Sequence, residues 1–143
     1  MARTLPHSRD HYRHFQNIPT RWIDNDVYGH VNNVVYYSYF DTVVNNFLID
    51  QGQLDYEKGQ TVGWVVETKC EYFSPVAFPD VVNAGLKVQR LGTSSVTYEV
   101  GLFRNDDETA AAQGHFVHVY VDREANTPQP LSEGMKEVLA SIA

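Results

Sequence analysis

The stretch RWIDNDVYGHVNNVVYYSYFDTVVNNFLID, Arg21 to Asp50, decides how the chain folds. Its opening positions gather acids, a glycine, a histidine and two asparagines, and the rest is an aromatic and aliphatic run several helical turns long. Tyr36, Phe40, Val43 and Phe47 recur at spacings of four, three and four, one face of a helix, and Tyr37, Val44 and Leu48 form a second apolar face. A helix that is apolar on two sides is a buried helix. Its β-branched and aromatic residues have poor intrinsic helix preference, so packing has to hold it. The expected helix runs from Asn32 to Asp50, with Asn32 or Asn33 as the N-cap whose side-chain oxygen accepts from the first-turn N–H groups.

Asp26, Tyr28, Gly29 and His30 then fall in the loop that feeds the helix start. A helix N-terminus collects unpaired N–H groups and the positive end of the macrodipole, so it can hold an anion or a developing oxyanion. A carboxylate beside it could attack a substrate or activate water. The competing reading from spacing alone is that Asp24 and Asp26 are solvated loop and capping acids, which helix entries favour.

Upstream, Met1 to about Arg9 reads as a polar, loosely held terminus, and about His14 to Trp22 as a first strand. His7, His11 and His14 are spaced to share a helix face. The segment reads as extended, however, and no companion Cys or acid completes a ligand set, so no metal site is expected. Downstream, Gly52 and Gly59 mark a loop. From Thr61 the period becomes two: Trp64, Val66, Thr68, Cys70 and Tyr72 alternate with Val65, Glu67, Lys69, Glu71 and Phe73 in a long strand. Further strands follow over Val82 to Arg90, Val96 to Leu102 and about Thr109 to Val121, with Gly114 marking a bulge or a close backbone approach. A short amphipathic helix carrying Leu131, Met135, Val138, Leu139 and Ile142 closes the chain. Short connections predict mostly antiparallel neighbours. The expected class is α+β, a curved antiparallel sheet of about five strands wrapped around one long central helix.

At 143 residues, with 43% hydrophobic content, the chain suits a single domain spanning 1–143. A net charge of −7 disfavours nucleic acid as a partner. The lone Cys70 cannot form an internal disulfide, the first residues lack the apolar core of a signal peptide, and no apolar run is long enough to span a membrane. A cytoplasmic location is the expectation. No G-x-S-x-G elbow, G-x-G-x-x-G turn or P-loop occurs, and Cys70 sits between charged neighbours without an acid–histidine pattern.

The run D-x-D-x-x-G-H-V-N-N-x-x-Y from Asp24 to Tyr36, followed by a long helix, resembles the hotdog-fold acyl-CoA thioesterases of the 4-hydroxybenzoyl-CoA thioesterase-like family. Glu71-Tyr72-Phe73-Ser74-Pro75, Arg90 to Ser95 and Pro130-Leu131 add to the likeness, which extends from about Phe15 to the terminal helix. The resemblance implies Asp26 as the catalytic carboxylate, acting as nucleophile or general base, with the Asn33 backbone N–H as oxyanion donor at the helix start. It further implies a supporting role for His30, a secondary acid at Glu67, and a substrate wall of Tyr28, Tyr36 and Trp64. The hairpin residues Arg90, Gly92, Ser94 and Ser95 correspond to the family's site for coenzyme A phosphates, where arginine and hydroxyl donors suit the anion. No metal or organic cofactor is implied, and the partner is a second copy of the chain, in a dimer or tetramer. The hairpin offers mainly Lys87, Arg90 and Arg104, fewer basic residues than the family carries, which keeps acyl-carrier-protein thioesters open beside acyl-CoA. A non-catalytic acyl-thioester-binding module is the alternative of a different class.

Overall fold

The computed structural model describes residues 4–143. Five strands form one sheet in the order β1-β3-β4-β5-β2, with every pairing antiparallel. They are β1 His14–Pro19, β2 Thr61–Tyr72, β3 Val81–Leu91, β4 Ser95–Arg104 and β5 Ala112–Asp122; the helices are α1 Val35–Asp50 and α2 Glu133–Ala140. One helix against one face of this sheet is the α+β hotdog arrangement expected above.

Helix α1 buries Tyr36, Tyr39, Phe40, Val43, Val44, Phe47 and Leu48 against the inward rows of the sheet, among them Leu86, Val100, Leu102 and Phe116. Each of the fully buried side chains contributes roughly 1.5–3 kcal/mol by leaving water. That burial outweighs the weak helix preference of the run.

Three expectations are corrected. The first strand stops at Pro19, and Trp22–Asp24 is a 3-10 turn, closed by hydrogen bonds between Arg21 and Asp24. Strands β2 and β3, consecutive in sequence, are not neighbours: β2 pairs with β5 at the far edge, and residues 73–80 carry the chain back across the end of the sheet. The alternation in β2 also breaks at Val66, where the register against β5 shifts. Trp64 therefore pairs with Val119 and Glu67 with Val117, both on the face away from α1. Gly114 is a close approach and not a bulge: register runs through it unbroken, and a Cβ there would overlap the Lys69 carbonyl oxygen on β2.

The terminus expected to be loose is tied to the sheet from Leu5 onward. The His7 N–H donates to Gln113 Oε1 at 2.7 Å, Gln113 Nε2 donates to the Leu5 carbonyl at 3.1 Å, and Ala110 N donates to the His7 carbonyl at 2.9 Å. Residues 1–3 lie outside the described part.

His118, on the inward face of β5, is 2% exposed. Its Nδ1 lies 3.3 Å from the Tyr120 hydroxyl, which bonds the Tyr98 hydroxyl at 2.8 Å, while Nε2 has no partner among the described residues. Burial pushes its pKa down to about 4. The unfolded chain, with an ordinary histidine near 6.5, binds the proton more readily. Stability is therefore full above pH 6.5 and declines as the pH falls toward 4, by up to about 3 kcal/mol from this residue. Urea midpoints measured across that window should flatten in a His118→Gln variant; an unchanged slope would contradict the assignment.

Candidate active site

Between β1 and α1 the chain makes a pinned loop. The Asp24 carboxylate is 1% exposed and accepts from the Arg21 N–H at 2.8 Å, Arg21 Nε at 3.0 Å and the Tyr39 hydroxyl at 2.9 Å. Burial pushes its pKa up, but the bonds from Arg21 and Tyr39 outweigh this and hold it below the ordinary aspartate value. Asp24 is thus no solvated acid: its carboxylate ties the loop to the body of α1, and its carbonyl accepts from Asn32 N at 2.8 Å. Losing the Tyr39 hydroxyl leaves a buried carboxylate short of one donor. Tyr39→Phe is expected to lower unfolding free energy by about 2 kcal/mol, read from the urea midpoint; a loss below about 0.5 kcal/mol would show that the bond is not worth its charge-assisted value.

Above this anchor the loop closes into a tight turn. Asn25 bridges Val31, Asp26 N donates to the His30 carbonyl at 2.9 Å, and Gly29 N donates to the Asp26 carbonyl at 3.1 Å. Gly29 has φ +81°, a conformation that favours glycine. Val31 N reaches the Val76 carbonyl at 2.7 Å, fixing the turn to the segment that crosses from β2 to β3. Asp26 is half-buried at the turn's base; its Oδ1 accepts from Tyr28 N at 2.8 Å, and it joins no ion pair among the described residues. One oxygen orients the carboxylate and the other stays available.

The helix start resolves the choice between the asparagines. Helix α1 begins at Val35, with Val34 in the cap position and no side-chain cap, so neither asparagine is the N-cap. Asn32 instead closes a turn ahead of the helix: its Oδ1 accepts from Val34 N at 3.2 Å and its carbonyl from Val35 N at 2.9 Å. The peptide that presents that carbonyl to Val35 turns its other end, the Asn33 N–H, away from the helix. The Asn33 N–H has no partner among the described residues, while the Asn33 carbonyl accepts from the Tyr72 hydroxyl at 3.0 Å. An oriented, open N–H and an oriented carboxylate thus flank one helix entry.

The other predicted residues divide by position. His30 and Tyr28 are exposed on the turn, Tyr28 at 84%, whereas Tyr36 is buried beneath it with its ring 4.9 Å from that of Tyr72. Glu67 is exposed on the outward face of β2, with a carboxylate oxygen 2.8 Å from His115 Nε2. Trp64 shares that face nearer the other end of the strand. The hairpin of Arg90, Gly92, Ser94 and Ser95 closes with Gly92 N donating to the Ser95 carbonyl at 2.8 Å. It sits at the end of β3 remote from Val81, roughly 30 Å from the Asp26 end at strand rise. Within one chain, Asp26 and the hairpin do not meet. Arg21, Tyr39 and Tyr72 were not singled out as site residues from the sequence; Tyr39 lies 15 positions from Asp24, and no local spacing signals that bond.

The chain matches the thioesterase-like superfamily over residues 19–139. Among solved structures, the PA5185 protein of Pseudomonas aeruginosa strain PAO1 is 49% identical, with 96% of each chain covered and a TM-score of 0.94. The PA2801 protein of Pseudomonas aeruginosa, provisionally named a thioesterase, is 32% identical over 87% of this chain and 95% of its own, with a TM-score of 0.82. A DHNA-CoA thioesterase from Staphylococcus aureus shares the fold at a TM-score of 0.77 and 17% identity, over 89% of this chain and 86% of that one.

Proposed function

The chain belongs to the thioesterase-like superfamily, and from that premise we propose that it hydrolyses acyl-coenzyme A thioesters with Asp26 as the acting carboxylate. The observation that carries the proposal is the pairing of the Asp26 carboxylate with the open Asn33 N–H at one helix entry. The carboxylate acts on the thioester carbonyl, directly or through a water molecule it deprotonates. Charge collects on the carbonyl oxygen, and the Asn33 N–H, backed by the helix dipole, stabilises it; such a donor is typically worth about 10²–10³ in rate. The tetrahedral intermediate collapses with departure of the thiolate, a good leaving group that needs no metal to assist it. His30 and Tyr28 line the approach, and Tyr36 forms the floor.

A single chain leaves this site open on one side. The free edge of β2 carries Trp64, Val65 and Val66 at 47%, 46% and 57% exposure, an apolar edge of the kind that pairs with another strand. We infer a homodimer in which two β2 strands pair antiparallel about a two-fold axis. Such pairing sets the Tyr72 end of one strand against the Thr61 end of the other, and so carries the Arg90 hairpin end of one chain toward Asp26 of its mate. Arg90, Ser94 and Ser95 would then grip the coenzyme A phosphates while the other chain cleaves the thioester, with Glu67 and Trp64 at the seam. Light scattering that read single chains at assay concentration would remove this part of the reading.

The test is thiol release from a panel of short, long and aromatic acyl-CoA thioesters, with an acyl-carrier-protein thioester in parallel. Hydrolysis of the CoA series supports the proposal. Hydrolysis of the carrier-protein substrate alone would move the assignment to that carrier, and binding without hydrolysis of either would reduce the protein to an acyl-thioester-binding module.

A further inference from the structure

The sheet face opposite α1 carries a second cluster that the hydrolytic reading does not use. Gly85 and Gly101 oppose each other on β3 and β4, and the Tyr12 ring lies flat in the trough they leave: a Cβ at Gly85 would come 2.8 Å from the ring, and one at Gly101 would overlap it. Tyr12 is buried, and its hydroxyl lies 3.1 Å from His7 Nδ1. The His7 and His11 rings stack at 3.8 Å, and His11 Nε2 lies 3.2 Å from Glu99 Oε2 on β4. One donor atom from each of His7, His11 and Glu99 lies within 4.8 Å of the others. His14, which the sequence spacing grouped with these histidines, faces α1 instead, its ring 4.8 Å from that of Phe47. The acid missing from the sequence pattern is Glu99, supplied from 88 positions away.

We propose that His7, His11 and Glu99 form a binding site for a divalent first-row transition-metal ion, of the zinc or cobalt type. Two imidazoles and one carboxylate, completed by water, suit a four-coordinate ion with bonds of roughly 2.0–2.2 Å, whose donors stand about 3.3 Å apart. The His11–Glu99 pair already has that spacing at 3.2 Å, and His7 closes the triangle by a small side-chain movement. With its Nδ1–H donated to Tyr12, His7 keeps the Nε2 lone pair for the metal, the arrangement in which an outer hydrogen bond fixes the tautomer of a ligating histidine. The segment is also held in advance of any ion. Besides the bonds from Gln113 and Ala110 to the backbone, Arg9 donates to the Asp107 and Asn105 carbonyls, each at 2.9 Å, and stacks over Phe103 at 4.7 Å. An adjoining pocket of about 190 Å³, bordered by Lys69, Glu71, Gln113 and His115, leaves room for the water ligand. Imidazole donors favour zinc-type ions over magnesium or calcium, which require oxygen ligands. Lys87 opposes Glu99 across the β3–β4 pair, and the cluster stands on the sheet face away from the helix whose start carries Asp26. The ion would pin the N-terminal segment to the sheet and take no part in thioester cleavage.

Titration calorimetry of the full metal-free chain with ZnCl₂, together with the visible spectrum of added Co²⁺, tests this. The expected result is one ion per chain, a tetrahedral cobalt spectrum, a higher melting temperature, and no comparable response to Mg²⁺. His11→Gln and Glu99→Gln, each checked for native circular dichroism, should weaken binding by roughly 100-fold or more. Tyr12→Phe, which keeps the ring in its trough, should weaken it roughly 10-fold. His30→Gln should change nothing. Absence of stoichiometric binding, undiminished binding in both folded ligand variants, or loss of binding in His30→Gln would each overturn the site.

Discussion

Asp26→Asn is expected to lower thiol release by about 10²–10⁴-fold while leaving the protein folded. The substitution is nearly isosteric, and a carboxamide oxygen can still accept from Tyr28 N, the bond that orients the side chain in the turn. What disappears is the charge: an amide neither attacks a thioester nor takes a proton from water. A 10³-fold loss corresponds to about 4 kcal/mol of transition-state stabilisation, a plausible share for one general base or nucleophile. The neighbouring acid gives the contrast. Asp24 spends its oxygens on Arg21 and Tyr39 inside the protein, so its replacement should register first in stability. A fully active, folded Asp26→Asn variant would remove Asp26 from the mechanism.

Gly114→Ala is expected to cost about 3 kcal/mol or more, read from urea midpoints and as a fall of roughly 10 °C in melting temperature. The added methyl meets the Lys69 carbonyl oxygen, a backbone atom that cannot rotate aside as a side-chain tip would. Relief requires β2 and β5 to separate locally, and β5 is the only strand that β2 pairs with. Gly29→Ala is the control: space around it is open, and only its positive φ is penalised, so about 1 kcal/mol is expected. A Gly114→Ala variant within 1 kcal/mol of the parent would mean the strand pair is more yielding than its register implies.

These residues also show what could be read without the structure. The spacing of Tyr36, Phe40, Val43 and Phe47 reports burial directly, because a helix repeats its face every three to four positions, and those residues are the buried ones. Strand limits were legible for the same reason. The order of strands was not, since alternation says which side of a strand is apolar and nothing about its neighbour; hence β2 lies beside β5 and not β3. A single bulge at Val66 inverts the parity of everything before it in β2, which no count of alternating residues detects. Around Asp26 the motif marked the right loop, yet it could not tell Asp24 from Asp26 as anchored and available acids. That distinction rests on Tyr39, reached only once the helix has folded back. The same limit hid Glu99 from His7 and His11.

The separation of Asp26 and the Arg90 hairpin to opposite ends of the sheet bears on inheritance as well as on catalysis. On the dimer reading, each chain lends its carboxylate to one reaction centre and its arginine to the other, so a defect in either gene product is exported to its mate. A chain lacking Asp26 and a chain lacking Arg90 are each inert alone, but a mixed pair assembles one centre with both lesions and one with neither. Random assortment makes about half the pairs mixed and restores about a quarter of all centres. Two recessive alleles in one reading frame would thus rescue each other, a pattern ordinarily taken as the mark of two separate genes.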